Sequence, residues 1–318
     1  MNLEDEFALH RGELVAHCYR MLGSLHDAED AVQDTYLRAW RGFADFERRS
    51  SVRTWLYRIA TRVCLNALQH SSRRLVPSAL GAPGTDPDDV RPHDLETHWL
   101  EPLPDLLMSA DPATVVGTRQ SLRLAMVAAL QHLPPRQRAT LILRDVLAWP
   151  AAEVAGLLDT STAAVNSSLQ RARAELARLA PAEDEISEPD EPERRALLDR
   201  YARAFETADL ATLEGLLTQD TRWEMPPIPT WFAGRDAVLR LLRSRMLPGE
   251  GHRLMVETAA NGQPAFAWYV RGRDRAFHAH SIQVLTLTKA GVAAVLDVHR
   301  PDLFAAFGLP IDRGEATM

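Results

Sequence analysis

Cysteine is nearly absent from the chain of 318 residues, which contains only Cys18 and Cys64. Both lie in apolar helical patterns without the CxxC spacing of a metal or redox site, so we expect buried free thiols in a reducing compartment. No apolar run is long enough to span a membrane, and the charged N-terminal stretch MNLEDEFALH is unlike a targeting segment. These absences predict a cytoplasmic protein with no membrane partner, no metal and no cofactor.

Lysine is equally scarce. Lys289 is the only one, so arginine carries almost all of the positive charge, which we attribute to genome base composition. The net charge of −7 disfavours nucleic-acid binding on average, but the charges are unevenly distributed. Residues 119–180 contain eight arginines and four acidic residues, whereas residues 76–118 contain eight acidic residues and one arginine. Residues 181–193 contain seven acidic residues and no basic one, so a basic segment lies between two acidic, solvated connectors.

These shifts in composition predict a multidomain protein with two all-α domains followed by an α+β domain. The predicted order is a helical domain at 1–75, an acidic proline-containing linker at 76–110, a helical domain at 111–180, an acidic linker at 181–193 and an α+β domain at 194–318. Apolar residues at spacings of three and four predict helices over 9–22, 27–43, 52–68, 111–133 and 136–146.

Residues 147–173, LAWPAAEVAGLLDTSTAAVNSSLQRAR, are typical of a helix-turn-helix. Pro150 suits the first turn of the leading helix, Asp159 suits the break, and Ser161 suits the cap of the second helix. The second helix leaves outward a face of small, amide and arginine side chains, which suit base edges and phosphates. We predict that this face contacts DNA through Thr162, Ala163, Asn166, Ser167, Gln170, Arg171 and Arg173.

The last part of the chain has a different pattern. Helical patterns over 195–208, 210–217 and 235–245 precede alternating strand-like runs over 253–258, 265–271, 276–288 and 292–299. Turn signals at Asn261-Gly262 and at residues 289–291 separate these runs. We predict a small α+β domain whose curved antiparallel sheet packs against helices.

Two long motifs resemble the sigma-70 family. HDAEDAVQDTYLRAWRGFADF with SSVRTWLYRIATRVCLNAL is similar to its second conserved region, and LPPRQRATLILRDVLAWPAAEVAGLLDTSTAAVNSSLQRARAEL to its fourth. Together they resemble the compact extracytoplasmic-function sigma factors. The resemblance implies a non-enzymatic protein that binds core RNA polymerase, recognises two promoter hexamers and opens DNA at the upstream edge of the start site. Asn166 and Ser168 stand where relatives commonly carry basic residues, so we expect weaker DNA binding by this domain alone.

The resemblance also assigns surfaces in the first domain. It implies that helix 27–43 docks on the clamp helices of the large polymerase subunit, and the candidate residues are Asp30, Gln33, Asp34, Arg38 and Arg41. Residues 43–62 interleave aromatic side chains with arginines, a pattern that suits unstacked bases and a single-stranded backbone. The candidate DNA-melting residues are Ser50, Ser51, Arg53, Arg58, Arg62 and Asn66, whereas Trp55 is expected mainly in the core. The linker at 76–110 would either thread the polymerase as an acidic strand or act as a flexible tether.

The order of elements after residue 194, beginning with LLDRYARAFETADLATLEGLLTQDTRWEMPP, resembles the SnoaL-like branch of the cone-shaped nuclear-transport-factor-2-like fold. That fold usually encloses a pocket, and strand alternation here places His278 with His280, and Asp297 with His299. The candidate small-molecule pocket consists of Trp223, Met225, Trp231, Trp268, His278, His280, Asp297 and His299. The resemblance implies that such a domain tunes promoter activity in cis.

Two alternatives remain at this point. A helix-turn-helix transcription regulator with a ligand-binding SnoaL-like domain would explain residues 119–318, but it leaves the first domain without a role. A fused enzyme would explain only the tail, where an aspartate and histidines can transfer protons.

Overall fold

The computed structural model describes residues 2–47, 50–69, 73–94, 96–108, 121–179, 190–245 and 251–314. The chain forms two compact units. The first comprises Met1–Arg74 and Leu100–Pro181, and the second comprises Leu75–Trp99 and Ala182–Met318. The predicted start of a helix at Asp111 and most of the linker at 181–193 lie outside the described residues.

The first three helices form a bundle at the positions that the apolar spacing predicts. They are α1 (Leu3–Leu22), α2 (Leu25–Gly42) and α3 (Val52–Ala67). Ser24 and Ser51 cap the N-termini of α2 and α3 by accepting hydrogen bonds from the backbone N–H groups of Asp27 and Thr54. The two thiols, Cys18 and Cys64, are buried in this bundle as free cysteines, as predicted.

The second helical domain follows the predicted order, and its helices are short. They are α4 (Leu124–Leu130), α5 (Pro135–Leu141), α6 (Ala151–Leu157) and α7 (Thr162–Leu179). A π-helical turn, Ile142–Val146, continues α5. Pro134-Pro135 separates α4 from α5 because a proline ring cannot continue the preceding helix.

A buried arginine joins the two helical domains within the first unit. The Arg138 guanidinium donates to the carbonyl oxygen of Met21 at the end of α1, and it also donates to Gln131 Oε1 at 2.7 Å and to the Leu133 carbonyl at 3.2 Å. Burial lowers the pKa of Arg138 to about 10. Gly23 lies beside this contact with φ +70°, and a Cβ there would meet the Gln131 side chain at 2.9 Å. The domains predicted to be separated by a linker therefore share a polar interface.

Glu101 fastens the end of the linker to the first bundle. Its Oε2 accepts hydrogen bonds from the backbone N–H of Leu25 at 2.9 Å and from Ser24 Oγ at 2.9 Å, at the N-terminus of α2. A carboxylate is favourable there because the first N–H groups of a helix have no partner within the helix. The Tyr19 hydroxyl donates to the Glu101 carbonyl at 2.6 Å, so this acidic residue is a structural cap rather than a solvated charge.

The second unit is an α+β fold with three helices packed on a sheet. The helices are α8 (Glu191–Glu206), α9 (Leu210–Leu216) and α10 (Arg235–Arg245). The strands are β1 (Leu217–Met225), β2 (Ile228–Ala233), β3 (Arg253–Ala260), β4 (Gln263–Arg271), β5 (Phe277–Thr288), β6 (Gly291–Val298) and β7 (Asp312–Arg313). Their order in the sheet is β2-β1-β6-β5-β4-β3, with β7 beside β5.

The predicted α+β domain with a curved sheet is confirmed, and one strand pair departs from the predicted antiparallel arrangement. Strand β1 pairs in parallel with β6, with Trp223 opposite Val295, so the sheet is mixed. The four strands predicted from alternation correspond to β3 to β6, which form local hairpins with turn signals between them. Strands β1 and β2 were not predicted. Strand β1 pairs with β6, about 70 residues away in sequence, where no local turn signals the pairing, whereas β2 pairs with β1 in a local hairpin.

Residues 75–99 pack along the edge strand β2 and do not form a free tether. The Gly84 N–H donates to the Trp231 carbonyl at 2.7 Å, and the Asp94 N–H donates to the Pro227 carbonyl at 2.8 Å. Trp231 Nε1 donates back to the Gly81 carbonyl at 2.9 Å. This segment therefore covers the unpaired edge of β2, as sheet edges generally require.

The two ends of this segment meet. Leu75 and Trp99 form an isolated parallel bridge, and the Leu75 N–H donates to the His98 carbonyl at 2.9 Å. Residues 75–99 thus form a closed loop between the two helical domains. The sequence-based expectation of an extended or flexible linker does not describe this arrangement.

We predict that replacing Arg138 with Met destabilises the protein by about 2–4 kcal/mol, because the buried carbonyl groups it serves lose a charged donor. The control is Arg171→Met, which removes an exposed charge on α7. Urea unfolding followed by tryptophan fluorescence measures both variants. Equal stability of the two variants would contradict a structural role for Arg138.

Candidate functional site

The helix-turn-helix is formed by α6 and α7. Asp159 in the turn has φ 49°, the left-handed conformation expected at this break. Ser161 Oγ accepts a hydrogen bond from the Ala164 N–H at 3.2 Å and so caps α7, as predicted. The predicted apolar positions Val165, Leu169 and Ala172 are buried against α6 and its neighbours. The predicted DNA face is exposed along its length, and it comprises Thr162, Ala163, Asn166, Ser167, Gln170, Arg171 and Arg173.

The positive charge of this domain is less available than the sequence suggests. Arg173 forms a bidentate pair with Asp145 at 2.7 and 2.8 Å, and Arg136 donates to the Leu158 carbonyl at 2.7 Å. Arg138 is buried at the domain interface. Of the arginines counted in residues 119–180, these three therefore already have protein partners, whereas Arg171 is exposed on the predicted DNA face.

The predicted polymerase-binding face of α2 is a mixed polar and apolar surface. Among its predicted residues Asp30, Gln33, Arg38 and Arg41 are exposed, and Asp34 is half-buried. Leu37 and Trp40 on the same helix are 44% and 57% exposed. Exposed tryptophan on a monomer surface is typical of an interaction site.

The predicted DNA-melting residues lie at the start and along one side of α3. Ser51 is the cap of α3, Ser50 precedes it, and Arg62 and Asn66 are exposed. Arg53 pairs with Glu13 on α1, with Nη2 at 2.6 Å from Oε2, and its guanidinium lies 5.0 Å from the centre of the Tyr57 ring. The partner Glu13 was not foreseen because it is 40 residues away in sequence.

The other members of the aromatic and basic segment are half-buried. Arg58 lies on α3 with its side chain partly covered. Trp55 stacks on Phe46 with ring centres 4.6 Å apart, which agrees with its expected role in packing. The side chains of Arg62 and Asn66 are thus the most accessible of the predicted set together with Ser51.

A buried polar cluster lies on the helix-covered face of the second unit. Gln283 on β5 is directly opposite Asp297 on β6 and Phe266 on β4. The Tyr201 hydroxyl on α8 donates to Gln283 Oε1 at 2.9 Å. Two residues further along the same face of these strands, Trp268 on β4 lies opposite Ser281 on β5. The cluster therefore has a polar row across the sheet with aromatic side chains on both sides.

Aromatic rings form a continuous wall beside this row. Phe205 on α8 is stacked with Trp223 at 5.9 Å and is edge-on to Trp268 at 6.0 Å. The chain of contacts continues from Trp268 to His280 at 4.6 Å and from His280 to His299 at 4.9 Å. Trp223 and Met225 are buried in the core, whereas Trp268, His280 and His299 are partly exposed and form the rim.

Asp297 and His299 form an ion pair within the cluster, with Oδ2 and Nε2 3.3 Å apart. Burial acts to raise the pKa of Asp297, but the charge and hydrogen bonding of His299 outweigh burial and hold that pKa below its usual value. Burial acts to lower the pKa of His299, but Asp297 raises it above its usual value. Burial and the neighbouring His299 lower the pKa of His280. The directions of these shifts favour a charged Asp297–His299 pair beside an uncharged His280 imidazole.

Outside the contact between Asp297 Oδ2 and His299, four polar atoms of the cluster have no hydrogen-bond partner among the described residues. They are Trp268 Nε1, Ser281 Oγ, Gln283 Nε2 and Asp297 Oδ1. Leaving such buried groups unpaired costs about 1–3 kcal/mol each, so the arrangement favours a molecule that satisfies them.

The structure corrects two members of the predicted pocket. His278 lies at the exposed end of β5, where its ring nitrogens are 2.7 Å from Asp312 Oδ1 and 3.0 Å from Asp274 Oδ1. A bulge between Trp268 and Tyr269 interrupts the strict alternation that placed His278 with His280. Trp231 is opposite Glu224 and contacts the linker, because its neighbour Phe232 occupies the inward position opposite Trp223.

The sequence did not identify Tyr201, Phe205 and Gln283 as members of the cluster. Gln283 was recognisable, since it follows Ser281 by two residues and therefore lies on the same face of the strand. Tyr201 and Phe205 look like ordinary core positions of an amphipathic helix, and only the packing of α8 on the sheet brings them to this place.

A helix-turn-helix domain joined to an aromatic and basic helical bundle, with a cone-like domain after them, is the architecture of a promoter-binding initiation factor with an added domain. Family models agree with each part. Sigma-70 region 2 matches residues 7–74, Sigma-70 region 4 matches residues 123–176, and the SnoaL-like domain matches residues 198–295.

Whole-length relatives share all three parts. The chain is 50% identical over 306 residues to the ECF RNA polymerase sigma factor SigG of Mycobacterium tuberculosis, covering 95% of this chain and 82% of that protein. It is 30% identical to SigJ of the same organism, covering 98% and 96%. The crystal structure of M. tuberculosis SigJ superposes with a TM-score of 0.61 at 26% identity, covering 98% of this chain and 100% of that chain.

The chain therefore belongs to the extracytoplasmic-function (ECF) RNA polymerase sigma factors. It acts in transcription initiation, with RNA polymerase and promoter DNA as partners. Within the described part of the chain, no helix combines the length and the apolar character needed to cross a membrane.

We predict opposite pH dependence for two substitutions on β5. The unfolded chain protonates His280 as pH falls through about 6.5, whereas the folded chain resists because its His280 pKa is lowered. The wild type therefore loses stability on acidification, and His280→Gln loses less.

The matched control is His278→Gln. The His278 ring donates hydrogen bonds to Asp312 and Asp274, which raise its pKa, so its contribution to stability is complete below the unfolded pKa and is lost as pH rises through the folded pKa. Urea midpoints between about pH 5 and about pH 8.5 measure both variants. Differences from wild type that vary with pH in the same direction would contradict the assignment.

Proposed function

We propose that the second unit of this sigma factor restrains initiation in cis by holding the linker between the two promoter-binding domains. The observation that carries the proposal is the closed loop of residues 75–99, whose ends Leu75 and Trp99 are bridged. A 25-residue segment reaches about 80 Å when extended, whereas its ends here are neighbours. While the two ends of the linker are neighbours, the helical domains that they join cannot separate far enough to reach two promoter elements. The linker must therefore leave β2 first.

The contacts inside the first unit support the same restraint. Arg138 links α5 to the end of α1, and Arg20 Nε donates to Ser121 Oγ at 3.1 Å. These buried polar contacts require the two helical domains to be adjacent. Release of the linker and separation of the domains are therefore two parts of one opening step.

We assign the surfaces of the opened factor as follows. The exposed face of α2 binds core polymerase through Asp30, Gln33, Asp34, Arg38 and Arg41, with Leu37 and Trp40 as its apolar centre. The start and outer side of α3 bind the melted strand through Ser50, Ser51, Arg53, Arg58, Arg62 and Asn66. The face of α7 binds the upstream promoter element through Thr162, Ala163, Asn166, Ser167, Gln170, Arg171 and Arg173. Exposure of most of these side chains and the general requirements of nucleic-acid binding support the assignment, while Asp34, Ser50, Arg53 and Arg58 are half-buried.

The second unit acts as a binding and regulatory domain rather than as an enzyme. Its buried cluster offers unsatisfied donors and an acceptor to a small molecule, while its only inward carboxylate in that row is already paired with His299. The protein works where the polymerase transcribes, in the cytoplasm.

We predict that Gly84→Val increases promoter-dependent runoff transcription with core polymerase by about threefold, a shift of about 0.7 kcal/mol in a closed–open equilibrium. A Cβ at Gly84 would lie 2.9 Å from Thr230 Cγ2 and 3.3 Å from the Phe232 ring, so we expect a valine side chain to push the linker away from β2. Hydrogen exchange at the Gly84 and Asp94 amides confirms release.

The matched control is Gly81→Val, because a Cβ at Gly81 has nothing within 4 Å. It changes the same kind of residue in the same loop without a clash. Release of the linker in Gly84→Val with transcription unchanged or reduced would contradict restraint by the second unit.

We predict that Asp145→Asn strengthens binding of the upstream promoter element by about twofold to fivefold, because Arg173 then loses its competing carboxylate. Arg171→Ala weakens binding and lowers the slope of log affinity against log salt by about 1. Fluorescence anisotropy with a labelled duplex at several salt concentrations measures both. Asp236→Asn, an equal charge change on α10, is the control, and an equal gain there would attribute the effect to net charge alone.

A further inference from the structure

The unused hydrogen-bonding groups of the buried cluster form an ordered pair. Gln283 and Asp297 face each other across β5 and β6, and such cross-strand partners have their Cβ atoms about 4.5–5.5 Å apart. The Tyr201 hydroxyl donates a hydrogen bond to Gln283 Oε1, so the Gln283 Nε2–H group is a donor without a partner among the described residues. His299 pairs with Asp297 Oδ2, which leaves Oδ1 without a hydrogen-bond partner among the described residues, although the Ser281 hydroxyl lies near enough to this carboxylate to help lower its pKa. A donor and an acceptor therefore lie side by side.

The shape of the surroundings selects a flat molecule. Phe205, Trp223 and Phe266 lie beside the polar row, and Trp268 stands at the rim with its indole N–H unpartnered among the described residues. Aromatic walls favour a planar ring, which can lie against their faces or edges. The partly exposed rim residues Trp268, His280 and His299 place the cluster within reach of solvent.

The charges of the cluster select an uncharged molecule. Asp297 and His299 compensate each other, and His280 is neutral because burial and His299 lower its pKa. An anion would meet the Asp297 carboxylate in a poorly solvated place, and a cation would compete with His299 for it.

We propose that this cluster binds a flat, uncharged heterocycle through the edge of a cyclic amide, where a ring carbonyl lies beside a ring N–H. The ring carbonyl accepts from Gln283 Nε2–H, and the ring N–H donates to Asp297 Oδ1. Trp268 Nε1–H provides a second donor to the carbonyl side. This assignment rests on the ligand-binding role proposed above for the second unit and names its ligand class.

The test uses the full chain and quinolin-2(1H)-one, an uncharged bicycle with a carbonyl beside an N–H. Isothermal titration calorimetry measures its affinity, and the indole N–H resonance of Trp268, assigned from Trp268→Phe, reports its place. N-methylquinolin-2-one is the matched probe, since it keeps the ring and the carbonyl but lacks the donor for Asp297. We expect the N-methyl compound to bind at least tenfold more weakly.

Substitutions in the chain provide the second part of the binding test. Gln283→Leu removes the amide donor, and we expect at least a tenfold loss of affinity for quinolin-2(1H)-one. Trp268→Phe removes the indole donor without altering the inner row, and we expect a threefold to tenfold loss. His278→Ala, on the same strand but paired with Asp274 and Asp312 at the exposed end, leaves the affinity unchanged.

The proposal is overturned if quinolin-2(1H)-one does not bind at millimolar concentration, or if its N-methyl derivative binds equally well. It is also overturned if both Trp268→Phe and a folded Gln283→Leu keep the wild-type affinity. Because binding is measured without polymerase or DNA, these outcomes are independent of the linker-release experiment. A failure of ligand recognition is thus distinguishable from a failure of restraint.

Discussion

The closed loop of residues 75–99 is the constraint on which the arrangement of this sigma factor depends. It leaves the first helical domain at Leu75, follows the edge of β2 and returns at Trp99 beside its starting point. Backbone hydrogen bonds to Trp231 and Pro227 hold it, so the added domain supplies the partners that an exposed sheet edge and a polar linker both need. The added domain is therefore part of the connection between the two promoter-binding domains and not merely an appendage after them.

Several charged side chains are likewise held by partners within the fold. Acidic and basic residues that look available in the sequence have partners in the fold: Glu101 caps α2, Glu13 pairs with Arg53, and Asp145 pairs with Arg173. The Asp145–Arg173 pair, which is the most exposed of these, contributes little to stability, because solvent screens it. Its larger effect is on binding, since a guanidinium already held by a carboxylate gives up that partner before it contacts a phosphate. The net charge of −7 is consistent with a factor whose DNA-binding charge is partly masked in this state.

The second unit combines an ordinary hydrophobic core with one polar row. Most of the helix-covered face is apolar, and Trp223, Phe232 and Leu285 are almost completely buried there. Tyr201, Gln283 and Asp297 interrupt it at cross-strand positions, where each polar atom left without a partner is costly. A domain kept only for its mechanical contact with the linker would gain stability from apolar residues at these positions, so the row supports the proposal that this domain binds a small molecule.

Local sequence patterns were sufficient to predict the helices of both sigma domains and the hairpin strands β3 to β6. They also predicted the helix-turn-helix, with its break at Asp159 and its cap at Ser161. These features depend on residues within a few positions of each other, where periodicity, capping and turn chemistry act. The parallel pairing of β1 with β6, the bulge that separates His278 from His280, and the inward place of Phe232 instead of Trp231 arise from contacts between distant strands. The closing of the linker on β2 and the meeting of Tyr201, Gln283 and Asp297 have the same origin. Such contacts leave no local periodicity, because their partners are brought together only when the whole hydrophobic core is formed.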